Sequence, residues 1–142
     1  AVGRFHAALR SRLSLALRDH DLTVPEFTAL SVLSLRSGLS NAQLARRSFV
    51  TPQAMNQVLA SLEGKGLVTR QISPGTGPHA HHRARGATLT ARGEALVRRT
   101  DALVDEIEDR AFGSITPEQR LELSALLLDA TVRLRTARAG DD

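Results

Sequence analysis

The segment from Thr51 to Arg70, TPQAMNQVLASLEGKGLVTR, predicts a capped helix that runs through a glycine turn into a strand. Thr51 can cap the helix, and Pro52 suits its first turn because the missing N–H has no intrahelical partner there. Gly64 and Gly66 are expected to end the helix, since glycine adopts the backbone conformations of helix ends without steric cost. The residues that follow, up to Arg70, have the composition of a strand.

Amide side chains lie on one face of this predicted helix, close to its start. Gln53, Asn56 and Gln57 are spaced i, i+3 and i+4 and therefore share a face, which we call the amide face. Carboxamides can pair with base edges in the major groove of DNA, although a solvated helix surface is their more usual fate. The side chains expected to face a core from this helix are Ala54, Val58 and Leu62.

Charge is unevenly distributed along the chain. The 142 residues carry a formal charge of +4, and all the basic side chains except Lys65 are arginines, which suit phosphate recognition. No acidic residue occurs between Arg70 and Arg92, whereas acids concentrate between Glu94 and Asp129. An arginine-rich composition can also reflect the composition of the genome. The distribution favours an electropositive end and a nucleic-acid partner.

The sequence argues against several other classes of protein. It has no cysteine, so it can form neither a disulfide framework nor a thiolate metal site. Without a glycine-rich phosphate loop, a G-x-S-x-G motif or a carboxylate pair beside a histidine, we expect no enzyme and no cofactor. His79, His81 and His82 suggest a metal site, but the usual set of ligands is missing, so we expect a solvated loop.

The chain also shows no signal of export or of membrane insertion. Its start lacks a continuous apolar signal core, and no run approaches the roughly 18 apolar residues that are needed to cross a bilayer. With 42% hydrophobic residues, the chain has enough apolar side chains for a core. We therefore expect a cytoplasmic protein without membrane contact, organised as one domain or as a compact unit with a helical extension.

Helix signals recur throughout the chain. Apolar residues at helical spacing mark a first helix within the first twenty residues. Capping-box spacing predicts further helices after Thr23, Ser40 and Thr116, and Thr90 can cap a long helix. Residues 67–72 and 87–89 predict two strands around a loop rich in glycine, proline and histidine, which together form a wing. The fold class is mainly α with a small two- or three-stranded β wing: a winged helix-turn-helix plus a helical dimerisation domain.

The terminal helices have broad apolar stripes without a third layer to cover them, which predicts pairing with a second copy of the chain. The predicted domains are a dimerisation helix over 1–22, a DNA-binding winged helix-turn-helix over 23–90 and dimerisation helices over 91–142. The stripe of the last helix comprises Leu123, Leu126, Leu127, Ala130 and Leu134.

The order of these motifs resembles the MarR family of bacterial winged-helix transcriptional regulators. The resemblance spans nearly the whole chain and is most specific in four strings: SNAQLA from Ser40, TPQ from Thr51, LEGKGLVTR from Leu62 and LTARG from Leu89. It implies a homodimer in which each subunit places the Thr51 helix, the recognition helix, in a major groove and the wing beside a minor groove. The operator would then be pseudo-palindromic.

The resemblance also implies two sets of site residues. Those expected to contact DNA are Ser40, Thr51, Pro52, Gln53, Asn56, Gln57, Lys65, Arg70, Arg83 and Arg85. Relatives bind a small, often aromatic effector between the winged helix and the dimer helices. The residues that could line such a cleft here are Phe5, Leu9, His20, Phe27 and Leu30.

The wing departs from the family at one point. Where the family has an aspartate, one residue and an arginine, this chain has His81, His82 and Arg83, so the acid that helps to hold the arginine is replaced by histidine. Arg83 remains the best candidate for contact with the minor groove.

The function predicted from these observations is a sequence-specific regulator that binds double-stranded DNA, acting as a ligand-responsive repressor and a homodimer. Two alternatives use the same features. A non-specific architectural protein would bind nucleic acid through the basic wing without reading bases, and an interaction adaptor would use the winged helix without binding DNA.

Overall fold

Polar caps set the start of most helices in the computed structural model, which describes residues 1–71 and 86–139. The predicted capping boxes at Thr23 and Ser40 are both formed: each hydroxyl accepts from the backbone N–H three residues on, and Glu26 and Gln43 accept in return. The Thr116 box is also closed. The helices are α1 (Val2–Arg18), α2 (Val24–Leu35), α3 (Asn41–Arg47), α4 (Pro52–Gly64), α5 (Ala91–Phe112) and α6 (Pro117–Ala139).

Two antiparallel strands, β1 (Val68–Gln71) and β2 (Gly86–Leu89), form the described part of the wing. Leu39 adds a single bridge to Ala87, so a third strand amounts to one residue pair in the described ranges. The mainly helical fold with a small β wing is therefore confirmed. The loop between the strands, with the predicted residues Arg83 and Arg85 and the three histidines of the metal hypothesis, lies outside the described residues.

The core of the winged helix-turn-helix is built from leucines of α2, α3 and α4 together with Met55. The fully buried large apolar side chains are Leu17, Leu30, Leu33, Leu44, Met55, Leu59, Leu62 and Val68. Burial of each such side chain contributes about 1.5–3 kcal/mol, which is enough to fix the packing of short helices that would be marginal alone.

Of the three inward residues predicted for α4, Leu62 is buried as predicted, but at the two other positions the buried residue is the next one along the chain. Met55, Leu59 and Leu62 are fully buried, whereas Ala54 and Val58 are only half-buried at the border of this stripe. The spacing of the buried residues, four and then three, follows the helical repeat, and the larger side chains take the inward positions. This phase leaves the amide face pointing outward.

The chain divides into two compact units, Ala1–Val104 and Asp105–Asp142. In the first unit α1 packs against α2, with Leu17 fully buried. In the second, Arg120 and Asp109 form an ion pair of 2.8 Å, and the leucines of α6 other than Leu123 remain exposed in the single chain. Among the described residues, no helix is both long enough and apolar enough to cross a membrane.

Candidate nucleic-acid interface

The turn between α3 and α4 fixes the direction in which α4 leaves the core. Asn41, at the start of α3, donates from Nδ2 to the carbonyl oxygen of Pro52 at 2.8 Å, so the first turns of the two helices are joined directly. The Val50 N–H donates to the Ala45 carbonyl at 3.1 Å, and Phe49 turns the chain with a φ of 57°. Thr51 caps α4 as predicted, accepting from the Ala54 N–H at 3.1 Å.

The amide face of α4 is exposed along the first half of the helix. Gln53, Asn56 and Gln57 are all exposed, and Thr51 and Pro52 continue the same surface at the start of the helix. Ser40 is half-buried, because its hydroxyl is engaged in capping α3. The structure therefore brings six of the predicted DNA-contacting residues onto the helix-turn-helix, five of them accessible to a partner.

Arg70 of β1 holds one member of the amide face in place. Its Nε donates to Glu63 at 2.8 Å and its other arm donates to Asn56 Oδ1 at 3.0 Å. The hydrogen bond with Glu63 raises the pKa of Arg70 above the ordinary value, so the guanidinium stays charged. This bridge directs the carbonyl oxygen of Asn56 towards Arg70 and turns its amide nitrogen away, as a donor for a partner.

Lys65 bonds to the carboxylate of Glu26, a contact between distant residues that their spacing in the sequence does not show. Its ammonium donates to both carboxylate oxygens of Glu26, at 3.0 and 3.2 Å, and to the Asp21 carbonyl oxygen. Glu26 is only 4% exposed, and a buried carboxylate needs a nearby cation and hydrogen bonds. The ammonium of Lys65 is therefore bonded to Glu26 and Asp21 in the structure, and its contact with a phosphate stays a prediction.

Hydrogen bonds stabilise the charged form of Glu26. Burial alone would raise its pKa, but hydrogen bonds from Ser61, at 2.6 Å, from the Thr23 N–H and from Lys65 outweigh burial and lower the pKa below the ordinary value. Because Ser61 and Lys65 belong to the last turn and C-cap of α4, this carboxylate attaches the end of α4 to the start of α2.

The five residues predicted to line an effector cleft differ in burial, and their role stays a prediction. Leu30 is fully buried in the core. Phe27 is half-buried against the core, while Phe5 and Leu9 lie on α1 with Phe5 exposed. His20 alone of the five lines a cavity of about 580 Å³, together with Asp19, Asp21, Gly64, Lys65, Leu67, Arg92, Leu96 and Arg99.

A helix-turn-helix whose second helix presents exposed amides, followed by a β wing, defines a class of DNA-binding proteins. Residues 20–77 match the sequence profile of the MarR family. The HTH-type transcriptional repressor Rv2887 of Mycobacterium tuberculosis is 45% identical over 124 residues, which cover 87% of this chain and 86% of that protein. The chain belongs to the MarR family, and it is a transcriptional regulator.

Solved structures agree with this assignment. The crystal structure of Rv2887 with salicylic acid has a TM-score of 0.71 and 43% identity, covering 91% of this chain and 92% of the other. The crystal structure of Rv2887 with DNA has a TM-score of 0.71 and 40% identity, covering 91% and 93%. The sequence-based resemblance to the family is thus confirmed over nearly the whole chain.

Proposed function

We propose that this protein is a repressor that binds double-stranded DNA as a homodimer and is released by a small aromatic ligand. The observation that carries the proposal is the exposed amide face of α4, which the Asn41–Pro52 and Arg70–Asn56 hydrogen bonds hold in a fixed orientation. Preorganised donors and acceptors read base edges at a smaller entropic cost than mobile ones. The structure of Rv2887 with DNA supports the same use of the fold here.

On this proposal each protomer inserts α4 into a major groove. Gln53, Asn56 and Gln57 would contact base edges, while Arg70 and the start of α4 at Thr51 and Pro52 would lie at phosphates. Ser40 would contact a phosphate at the start of α3. Contacts of Arg83 and Arg85 in the wing with the minor groove stay a prediction. Two recognition helices related by a two-fold axis would read half-sites about one helical turn apart.

The domain assignment is also part of the proposal. Residues 1–22 and 91–142 would form the dimerisation region and residues 23–90 the DNA-binding region. Support comes from α6, where Leu126, Leu127 and Leu134 of the predicted stripe are each more than half exposed in the single chain. So many exposed leucines on one helix are typical of a surface that is covered in the assembly.

The effector proposal rests on Rv2887, whose structure was determined with salicylic acid. We infer a ligand of the same class for this chain, a small aromatic acid that prefers a spacing of the two recognition helices unsuited to DNA. A preference of about 3 kcal/mol would weaken operator binding roughly a hundredfold. No catalytic role is part of this function.

The alternatives predict different binding behaviour. An architectural protein would bind operator and random DNA with similar affinity at one salt concentration, whereas a regulator should prefer its operator by a factor of about a thousand or more. An adaptor would bind neither. Membership of a family of transcriptional regulators favours the sequence-specific function.

Replacing Gln53 and Gln57 together by alanine should weaken operator binding. Each lost pair of base contacts costs about 1–3 kcal/mol, so the loss of two pairs should lower the operator affinity by a factor of about 30 or more. Fluorescence anisotropy with a labelled operator, at fixed salt, measures this loss. Binding to random duplex DNA serves as the control and should stay unchanged, because it depends on phosphate contacts. An equal loss on both DNAs would contradict base reading by these amides.

Replacing Leu126 by glutamate should dissociate the proposed homodimer. A charge placed in the apolar stripe of α6 would have to be buried without a partner, so we expect the dissociation constant of the dimer to rise about a hundredfold or more. Sedimentation velocity at several concentrations measures this constant. Thr136→Glu, at an exposed position facing away from the stripe, is the matched control and should leave the dimer intact. A dimer unaffected by Leu126→Glu would exclude this stripe from the interface.

A further inference from the structure

Arg70 of β1 bonds to two residues that lie on the same side of the recognition helix. Two of its N–H groups donate to the Glu63 carboxylate, and Nη1 donates to Asn56 Oδ1 at 3.0 Å. Asn56 and Glu63 are seven residues apart on α4, which is two helical turns or about 10.5 Å along the axis. The three side chains therefore form a row along one side of α4, beside the amide face.

The arginine determines which end of the Asn56 amide faces a partner. A guanidinium carries N–H donors and no acceptor, so the amide atom that faces Arg70 is the oxygen. The amide nitrogen points away from Arg70, and the residue is exposed. Within residues 1–71 and 86–139, Asn56 is the member of the amide face whose oxygen accepts from another side chain. It therefore presents donors to a partner.

The ion pair with Glu63 keeps Arg70 beside Asn56. Two N–H groups of one guanidinium bond to the same carboxylate, and such charge-assisted bonds are stronger than neutral ones. The side chains of Arg70 and Glu63 are 21% and 33% exposed, so salt screens this pair less than a fully exposed one. Three of the five N–H groups are used in these bonds. The other two stay available to a phosphate, so that contact does not require Arg70 to leave Asn56.

The four bases present different groups in the major groove. Guanine presents two acceptors, N7 and O6, while adenine presents one acceptor beside an amino group. Thymine presents one acceptor beside a methyl group, and cytosine presents an amino group. Asparagine usually pairs with adenine, and its oxygen then accepts from the adenine amino group. At Asn56 a cation adjoins that oxygen and repels the partial positive charge of an amino group. A surface made of donors therefore suits guanine.

We propose that Asn56 selects guanine in each operator half-site by donating to it, and that Arg70 and Glu63 are positioning residues for this contact. The inference rests on the proposed function, since it names a base that α4 reads. The usual preference of asparagine for adenine is reversed here, because the arginine beside it occupies the surroundings of the oxygen that adenine requires.

Base preference at the position that depends on Asn56 is the first measurement. Sequences selected from random duplexes by the wild type and by Asn56→Ala identify this position, because its preference is lost in the variant. Fluorescence anisotropy at fixed salt then compares operators with each base pair placed there. The wild type should bind the guanine operator about tenfold more tightly than the adenine operator. Preference for adenine, or the same selected sequence for both proteins, would overturn the proposal.

Arg70→Met tests the positioning role of the arginine. Methionine offers no donor and no charge, so the Asn56 oxygen becomes free to accept from adenine. The ratio of guanine to adenine affinity should then fall at least about fivefold. Arg46→Gln, which removes an exposed charge from the last turn of α3, is the matched control and should leave this ratio unchanged. An unchanged ratio in Arg70→Met, or an equal change in both variants, would exclude the positioning role.

Glu63→Gln tests the other positioning residue. Arg70 keeps its charge in this variant but loses its ion pair, so it can turn from Asn56 to a phosphate. The ratio of guanine to adenine affinity should fall about two- to fivefold. Affinity for random duplexes should rise, because a negative charge near the DNA is removed. A ratio equal to that of the wild type would contradict the role of Glu63.

The selection experiment separates failure of this inference from failure of the proposed function. A pool without any enriched sequence overturns sequence-specific binding, and this inference with it. An enriched sequence that depends on Gln53 and Gln57 but has adenine at the Asn56 position overturns the inference alone, and the proposed function stands.

Discussion

Replacing Gly93 by alanine is expected to lower the free energy of unfolding by about 3 kcal/mol or more. A Cβ atom at this position would lie 2.1 Å from the carbonyl oxygen of Leu67, which is backbone and cannot move aside as a flexible side chain can. The start of α5 approaches the residues just before β1 this closely because Thr90 bonds to them twice. Its N–H donates to the Leu67 carbonyl, and its hydroxyl donates to the Gly66 carbonyl.

Those contacts must break or shift in the alanine variant. The Thr90 hydroxyl also accepts from the Gly93 N–H at 3.0 Å, so the same hydroxyl both caps α5 and attaches it to Gly66. Separating them exposes Leu96 and Val97, which are buried in the first turns of α5. Urea unfolding monitored by circular dichroism measures the loss.

Gly64→Ala is the matched control for Gly93→Ala. Gly64 is the last residue of α4, and an added Cβ would meet nothing within 4 Å. Alanine favours the helix over glycine by up to about 1 kcal/mol, so this variant should be as stable as the wild type or slightly more stable. A Gly93→Ala variant as stable as Gly64→Ala would show that α5 does not approach β1 as described.

Replacing Glu26 by glutamine is expected to destabilise the protein by about 1–3 kcal/mol, the usual cost of leaving a buried hydrogen-bonding group without its charged partner. The amide can still accept from the Thr23 N–H, but it has no charge with which to hold Lys65. The ammonium of Lys65 is then left partly buried, with a neutral group in place of its carboxylate. The end of α4 loses its attachment to α2, so operator affinity should fall as well.

The stability difference between wild type and Glu26→Gln should depend on pH. The folded-state pKa of Glu26 lies below the ordinary value of 4.5, so its charged form contributes stability above that pH. This contribution is lost as the pH falls through the folded-state pKa, since the protonated carboxyl resembles the amide. Urea unfolding at pH 7 and at several lower values should show the two proteins converging in acid.

The exposed ion pair of α6 provides the control for Glu26→Gln. Asp129 and Arg133 are 2.7 Å apart, but their side chains are 60% and 78% exposed. Asp129→Asn should therefore cost only about 0.3–0.5 kcal/mol. A cost for Glu26→Gln as small as this, or one that does not change with pH, would contradict the anchoring role of Glu26.

Local signals in the sequence predicted where the helices begin and which face of α4 is polar. The boxes at Thr23 and Ser40 and the cap at Thr51 depend on residues three positions apart, so their spacing is visible without the fold. The exposed amide face followed from the same periodicity. Leu62 was predicted correctly, but two of the three predicted inward positions were wrong by one residue, because Ala54 and Met55 are both apolar, as are Val58 and Leu59. Only the packing of neighbouring helices selects the larger side chain of each pair.

Contacts between distant parts of the chain could not be read from the sequence. Glu26 appeared as a helix cap, but its ion pair joins residues 39 positions apart, and the sequence does not show that Lys65 lies opposite it. The cavity lined by His20, Lys65 and Arg92 likewise combines three segments that lie far apart in the sequence. A buried glutamate next to the single lysine of the chain is visible only in the packed structure.

The account depends most directly on α4 reading the sequence of a DNA duplex as part of a two-fold symmetric dimer. The most direct test is selection of bound sequences from a pool of random duplexes by the purified full chain at fixed salt. We expect enrichment of a pseudo-palindrome with half-site centres about 10–10.5 base pairs apart, and its loss with the double variant Gln53→Ala, Gln57→Ala. A pool that shows no enriched sequence, or the same sequence enriched by the double variant, would contradict the account.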